Sequence, residues 1–246
     1  MEFKGSSVYD EKDFLTDYLK RRGRKESPNN AIEKPNICEL LGDVKGKAIL
    51  DLGCGDGSFG LELLGSGAAS YTGIEGSREM ALLATSATAQ LGGKIRTEDL
   101  ELFQADGPQF DLIVSRFVIH YLSDIMHLFK EINKALMPGG KFVFTVQHPL
   151  TTSSFASKAQ GDRRGDWLVD DYFREGERRE PWISKTVVKH HRTTESYFTA
   201  LAEAGFAVTA LREGMPERAN FESAAEFERR ERIPLMLILS GQKQEN

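Results

Sequence analysis

The segment LDLGCGDGSFG, from Leu50 to Gly60, places four glycines directly after the start of the apolar run AILDL, which spans Ala48 to Leu52. A short apolar run bounded by glycines predicts a strand that is buried on both faces of a parallel sheet. Glycines let the backbone approach a ligand where side chains would collide. In an open α/β sheet the turn after the first strand forms the floor of the ligand crevice. The segment therefore predicts a binding site for a nucleotide-like ligand.

Strand and helix signals alternate along most of the chain. Strands are predicted at residues 70–74, 94–97, 110–115, 141–146, 204–208 and 234–240, and helices at residues 57–64, 77–90, 122–136 and 193–204. Strands alternating with helices of this length imply right-handed crossovers between parallel strands. We therefore expect an open, doubly wound α/β fold with a mostly parallel sheet and helices on both faces.

Two segments lie outside this alternation. Residues 1–30 are charged and are predicted to form an N-terminal cap segment ahead of a single domain over residues 31–246. Residues 148–190 are polar, rich in aromatic side chains and without strong periodicity. Because structureless loops of that length are rare inside a compact domain, we expect an inserted lid or acceptor-binding region after the fifth strand.

The composition is that of an ordinary globular protein. The chain has 246 residues and a formal net charge of −5, which argues against a large basic surface for nucleic acid. No apolar run reaches the roughly 20 residues of a membrane helix and no secretory leader is recognisable, so we expect a cytoplasmic protein that binds no membrane. Cys38 and Cys54 are the only cysteines and form no CxxC pair, so neither a disulfide framework nor a metal site is expected.

The residues around the glycine loop narrow the choice of ligand. Ser58 stands where the dinucleotide fingerprint has its third glycine, and no Gly-Lys-Ser/Thr follows as in a phosphate-binding P-loop. Asp51 and Asp56 would repel a pyrophosphate. Glu75 ends the second strand roughly 20 residues after Gly53, where a carboxylate accepts hydrogen bonds from ribose hydroxyls. These features favour an adenosine-type ligand that carries a positive charge.

Five consecutive motifs resemble those of the class I S-adenosylmethionine-dependent methyltransferases. They are ILDLGCGDGSFG (49–60), GIEGS (73–77), EDLE (98–101), FDLIVSRFVIHYL (110–122) and LMPGGKFVFTV (136–146). The chain is most similar to the small-molecule branch that acts on ubiquinone, menaquinone or natural products. The resemblance implies a seven-stranded Rossmann-like sheet whose last strand, PLMLILS, is antiparallel. It also implies S-adenosylmethionine as methyl donor and S-adenosylhomocysteine as product.

The resemblance also implies which residues bind the cofactor. Asp51 and Gly53 correspond to residues at its methionine end, Glu75 to the ribose ligand, and Asp99 with Leu100 to the adenine border. The full set expected from the resemblance is Asp51, Gly53, Cys54, Gly55, Gly57, Glu75, Gly76, Ser77, Met80, Asp99, Leu100, Ser115 and Arg116.

Methyl transfer from a sulfonium is an in-line displacement, so a base is needed only where the acceptor must lose a proton. His148 follows the fifth strand and is the first candidate for that base, with hydrogen bonding to the backbone of the insertion as the alternative. His120 is a second candidate, although a packing role is favoured for it and for Tyr121. By resemblance, Ser115 and Arg116 line the methyl-bearing pocket.

Five further residues are candidates for acceptor binding. Tyr18 and Arg22 lie in the N-terminal segment, where a helix can close the pocket. Trp167, Tyr172 and His191 lie in or beside the aromatic insertion, whose flat rings suit an apolar or aromatic small molecule. The alternatives are surface positions for the first two and a small core within the insertion for the others.

The expected function is therefore methylation of a small molecule on oxygen, nitrogen or carbon. A nucleic-acid methyltransferase is a second possibility, but the segment SRFV (115–118) differs from the Asp/Asn-Pro-Pro-aromatic motif of base amino-methyltransferases. A non-catalytic cofactor-binding module and an NAD-dependent oxidoreductase are the remaining alternatives. The sequence leaves the acceptor and the oligomeric state open.

Overall fold

A computed structural model describes residues 2–107, 109–157 and 165–245. Its strands are β1 (Glu2–Lys4), β2 (Ala48–Leu52), β3 (Ser70–Glu75), β4 (Lys94–Thr97), β5 (Phe110–Arg116), β6 (Leu136–Gln147), β7 (Gly176–Trp182), β8 (Lys185–His191), β9 (Phe206–Arg212) and β10 (Met236–Lys243). Its α-helices are α1 (Lys12–Arg22), α2 (Lys34–Leu41), α3 (Ser58–Gly65), α4 (Arg78–Thr88), α5 (Ile125–Ala135), α6 (Pro149–Thr152), α7 (Thr194–Glu203) and α8 (Ala224–Glu231).

Seven strands form the central sheet, in the order β4-β3-β2-β5-β6-β10-β9. The strand order reverses between β2 and β5, which pair in parallel, so their carboxyl ends open a crevice at this point. β10 is antiparallel to both of its neighbours, β6 and β9. The predicted doubly wound fold with an antiparallel last strand is therefore confirmed.

The sheet is buried on both faces because alternate residues of each strand point to opposite sides. In β6, Phe142 and Phe144 pack on one side, where Phe129 of α5 contacts both rings. Val143 lies in a second cluster on the other side, with Ile37 of α2. The near-continuous apolar strands of the sequence thus form the middle layer of three.

Side chains at the helix starts fix where several helices begin. Ser77 accepts a hydrogen bond from the backbone N–H of Met80 at 3.2 Å and begins α4, and Asp124 accepts one from His127 at 2.9 Å before α5. No helix in the described part of the chain is both long and apolar enough to cross a membrane.

A second, three-stranded sheet lies outside the central one and was not predicted. β8 pairs with β7 in an antiparallel hairpin and with β1 in parallel, so that Phe3 stands opposite Val187. The predicted insertion is thus partly a hairpin, and the N-terminal segment adds a strand to it. Sequence reasoning missed this sheet because strand pairing between residues so far apart has no local signal.

Candidate functional site

A cleft opens at the carboxyl ends of β2, β3 and β5. Its empty space, counted out to the open mouth, is about 860 Å³. Ten of the thirteen residues expected to bind the cofactor line it, namely Asp51, Gly53, Cys54, Gly55, Glu75, Gly76, Met80, Asp99, Leu100 and Arg116. The structure therefore brings together most of the motifs quoted from the sequence.

Gly53 lies at the bend between β2 and the cleft floor. Its φ is +78°, and a Cβ built on it would lie 2.2 Å from Cγ2 of Val118. Its backbone N–H donates a hydrogen bond to the carbonyl of Ile74 at 2.7 Å. A side chain at this position would strain the backbone and collide with Val118, so glycine is required for the loop to pass.

Gly57, Ser77 and Ser115 are not among the residues that line the cleft, and the cofactor contacts expected for them stay predictions. A Cβ on Gly57 would lie 2.6 Å from the Cα of Ala84, so this glycine permits α3 and α4 to pack closely. The Ser115 hydroxyl donates to the carbonyl of Leu52 at 2.9 Å. These residues stabilise the segments that form the cleft wall.

Glu75 is a buried carboxylate at the end of β3. Its Oε2 accepts the backbone N–H of Gly55 and its Oε1 accepts that of Ser77, each at 2.9 Å. Burial raises the pKa of Glu75, while these N–H groups act in the opposite direction. The side chain thus fixes the glycine loop and keeps unused lone pairs at the cleft wall.

Asp51 is 2% exposed at the floor of the cleft. Its Oδ2 accepts a hydrogen bond from the Tyr71 hydroxyl at 2.9 Å, whereas its Oδ1 has no hydrogen-bond partner among the described residues. Burial raises the pKa of Asp51 to about 6, although Tyr71, Arg116 and Arg22 act to lower it. A buried carboxylate oxygen without a partner is costly. The site therefore favours a ligand with a cationic group that donates a hydrogen bond to this oxygen.

Arg116 ends β5 and forms a buried ion pair with Glu33. Its Nε lies 2.9 Å from Glu33 Oε1, its Nη2 also bonds Glu33, and Thr145 Oγ1 donates to the same carboxylate at 3.1 Å. The guanidinium also lies over the Phe59 ring, 4.3 Å from its centroid. The sequence pattern did not single out Glu33 as a site residue. Glu33 lies four residues before the buried Ile37, and this spacing places the two side chains on one face.

The N-terminal segment covers the cleft. Gly5, Ser6, Tyr9, Tyr18 and Arg22 all line it. Tyr9 and Tyr18 stack edge to face, with ring centroids 4.8 Å apart, and Arg22 lies 3.5 Å from the Tyr18 hydroxyl. The two N-terminal residues proposed for acceptor binding are therefore at the cleft wall.

The two candidate bases do not line the cleft. His148 begins α6, where its Nδ1 accepts the backbone N–H of Leu150 at 3.2 Å and its Nε2 lies 3.1 Å from Glu213 Oε1. His120 is buried, and its Nδ1 accepts the backbone N–H of Gln147 at 3.3 Å. Burial lowers the pKa of both imidazoles. The His148 ring organises the start of the insertion, which is the alternative considered for it, and its role as a base stays a prediction.

The insertion residues also lie away from the cleft wall. The buried His191 contacts the Thr152 hydroxyl at 2.8 Å and the backbone carbonyl of Tyr172 at 2.9 Å. The Tyr172 hydroxyl accepts the backbone N–H of Thr194 at 3.3 Å. Trp167 is partly exposed and also absent from the wall. Tyr172 therefore joins the insertion to α7, and His191 joins it to α6, while the acceptor contacts expected for these three residues stay predictions.

The turn after β5 supplies cleft residues that sequence reasoning underestimated. Phe117, Val118, Tyr121 and Leu122 all line the cleft, although Tyr121 was expected only to pack. Phe117 has a φ of +58°, which is strained for a residue with a side chain. Such strain is maintained where the surrounding structure imposes it, commonly at ligand sites.

Comparisons with known proteins agree with this geometry. A profile of the methyltransferase domain family matches residues 18–211. An uncharacterized protein of Haemophilus influenzae is 32% identical over 219 residues, which cover 85% of this chain and 86% of that protein. The ubiquinone biosynthesis O-methyltransferase of Coxiella burnetii is 30% identical over 104 residues, which cover 42% of this chain and 44% of that enzyme.

A solved structure is similar over nearly the whole chain. The crystal structure of an S-adenosylmethionine-dependent methyltransferase from Mesorhizobium loti is 33% identical, with a TM-score of 0.79. The match covers 88% of this chain and 100% of that one. The two chains therefore share most of their fold.

Proposed function

The chain belongs to the methyltransferase domain family and is an S-adenosylmethionine-dependent methyltransferase, and we propose that its acceptor is a small molecule bound in the cleft. The N-terminal segment and the turn after β5 enclose the cleft with aromatic rings, including Tyr9, Tyr18 and Tyr121. A covered cleft lined with aromatic rings suits a small flat acceptor better than a polymer. The likeness to an O-methyltransferase of ubiquinone biosynthesis supports the same class.

The observation that supports the cofactor's place in this cleft is the unpartnered Oδ1 of Asp51. S-adenosylmethionine carries an ammonium group at its amino-acid end and, when bound, supplies a methyl group activated by a sulfonium. Asp51 is placed to accept from that ammonium, and Arg22 to bind the neighbouring carboxylate. Arg22 forms no salt bridge within the described residues, and its charge lowers the pKa of Asp51. We therefore propose a cofactor contact for Arg22 in place of the acceptor contact suggested by the sequence.

The remaining cleft residues divide the other tasks. Glu75 accepts hydrogen bonds from the ribose hydroxyls, and Asp99 and Leu100 border the adenine. Gly53 and Gly55 leave the backbone open to the ligand. The N-terminal segment excludes water from the reacting atoms, which favours an in-line displacement over hydrolysis.

Labelling with radioactive S-adenosylmethionine tests the acceptor class. The purified protein is incubated with the small-molecule, RNA and protein fractions of a cell extract, and methylated products are counted in each. We expect label in the small-molecule fraction. Label confined to RNA would instead support the nucleic-acid alternative. A protein that binds the cofactor and labels no fraction would support a non-catalytic module.

Replacing Glu75 by alanine is expected to weaken binding of S-adenosylhomocysteine by about 1–3 kcal/mol, measured by calorimetry. The change removes the ribose ligand and also frees the N–H groups of Gly55 and Ser77. Glu79→Ala is the matched control, because it removes a nearby carboxylate that does not line the cleft. Equal affinities for Glu75→Ala and the unaltered chain would overturn the ribose contact.

Binding of S-adenosylhomocysteine is expected to weaken roughly tenfold for each pH unit below the pKa of Asp51, which is about 6. Pairing with the ligand's ammonium lowers the pKa of Asp51, so binding in this range must release a proton. Affinity is therefore retained above that pKa and lost as the pH falls through it. Calorimetry between about pH 5 and pH 7.5 measures the slope.

Adenosine is the matched ligand for this pH test. It contains the ribose but no ammonium, so its pH dependence reports Glu75, whose pKa is also raised by burial. Asp51→Asn should remove the additional slope of S-adenosylhomocysteine. Identical pH dependence of the two ligands would contradict the role proposed for Asp51.

A further inference from the structure

A buried lysine lies directly behind the cleft wall. Lys189 in β8 is 1% exposed and forms an ion pair with Glu180 of β7, which is equally buried. A buried ion pair contributes little net stability, because desolvation of the two charges offsets their attraction. The packing of the hairpin alone therefore does not account for this pair.

Tyr121 connects the pair to the cleft. The Lys189 Nζ lies over the Tyr121 ring, 5.0 Å from its centroid. The Tyr121 hydroxyl also lies 3.4 Å from that of Tyr9 at the cleft wall. Side chains with exchangeable protons thus lie next to one another from the cleft through Tyr121 and Lys189 to Glu180.

We propose that Tyr121 is the catalytic base for an acceptor with a hydroxyl or amine nucleophile, and that Lys189 and Glu180 are positioning residues that relay its proton. This inference rests on the proposed function. The two histidines are not placed to take a proton from such an acceptor, since neither lines the cleft.

The proton that the acceptor loses stays within the site. The acceptor's oxygen or nitrogen forms a bond to the methyl carbon, and the carbon–sulfur bond breaks with its electron pair left on sulfur. The acceptor's proton passes to the Tyr121 oxygen as Tyr121 gives its own proton to Lys189. Lys189 is an ammonium in its ion pair, so it takes up this proton only as it gives one of its own to the Glu180 carboxylate. Neutralisation of Glu180 thus balances the positive charge lost at sulfur.

The surroundings of Lys189 favour proton transfer. Burial lowers the pKa of its ammonium, while Tyr121 and Tyr18 act to raise it. Glu180 faces it from β7, His120 and Tyr121 from the turn after β5, and Arg192 adds positive charge near His120. Gln147 Nε2 lies 3.4 Å from Glu180 Oε2 and can steady the carboxyl after it gains the proton.

The test uses 4-nitrophenol, whose ionisation is visible in its absorbance, bound to the full chain saturated with S-adenosylhomocysteine. The pH is set below the pKa of the free phenol, where the free probe is mostly neutral. We expect the bound probe to show the phenolate band, with its apparent pKa lowered by roughly one unit or more. Calorimetry in two buffers of different ionisation enthalpy should detect no release of its proton to the solvent.

Tyr121→Phe and Lys189→Met should each abolish the phenolate band. The control Lys185→Met should retain it, because Lys185 lies on the same strand but pairs with the exposed Glu11. Tyr121→Phe keeps the ring and guards against misfolding of the lysine variant. An unchanged band in both variants, release of the proton to the buffer, or no saturable binding of the probe overturns the relay. Loss of S-adenosylhomocysteine binding by the unaltered chain would instead overturn the proposed cofactor site.

Discussion

Replacing Glu33 by alanine is expected to lower the free energy of unfolding by about 3–5 kcal/mol, because it leaves the charge of Arg116 buried without its partner. The Glu33 side chain is fully buried and accepts hydrogen bonds from both Arg116 and Thr145. Denaturant unfolding followed by circular dichroism measures the change. S-adenosylhomocysteine binding should weaken as well, since Arg116 lines the cleft.

Two further variants separate charge burial from general effects on α2. Glu39→Ala removes an exposed partner of Arg212 and is expected to leave the unfolding transition unchanged. Glu33→Met combined with Arg116→Met replaces the pair by apolar side chains and should recover most of the lost stability. If the double variant is no more stable than Glu33→Ala, the loss does not come from an uncompensated charge.

Replacing Gly53 by alanine is expected to cost about 2–5 kcal/mol of stability and to impair cofactor binding at the same time. Two effects combine at this position. The φ of +78° is strained for alanine, and the new Cβ would lie 2.2 Å from Val118 Cγ2. The strain accounts for about 1–2 kcal/mol and the overpacking for about 1–3 kcal/mol. Thermal unfolding and calorimetry with S-adenosylhomocysteine measure the two outcomes.

Gly46→Ala and Val118→Ala resolve the two parts of this cost. Gly46 has a φ of +72°, but a Cβ there has no neighbour within 4 Å, so this variant should report strain alone. In a double-mutant cycle, Val118→Ala should relieve the overpacking in Gly53→Ala and leave the strain. A cycle with no coupling between the two positions would show that the collision with Val118 is absent.

The central sheet and the cleft floor were predictable because their signals are local. The apolar run at Ala48–Leu52, the glycines after it and the acidic residue ending β3 lie in short consecutive segments whose geometry follows from the fold. The antiparallel β10 came from resemblance, since periodicity does not give the direction of a strand. The structure agrees with both.

The parts that sequence reasoning missed depend on distant partners. Glu33 meets Arg116 only because the turn before α2 lies against the end of β5, and β1 meets β8 across most of the chain. His148 follows a strand that ends at the crevice, but the unforeseen start of α6 turns its ring into the insertion. The local sequence pattern predicts where a strand or helix lies along the chain. Packing between distant segments decides which side chains reach the site.

The parallel pairing of β1 with β8 has a consequence for synthesis of the chain. Lys4 lies opposite Val188, so the first strand has no partner until the hairpin has left the ribosome. At about 5–20 residues per second, that interval lasts roughly 10–40 s. The strands that carry the glycine loop emerge well before this, so the floor of the cleft can form before β1 finds its partner β8.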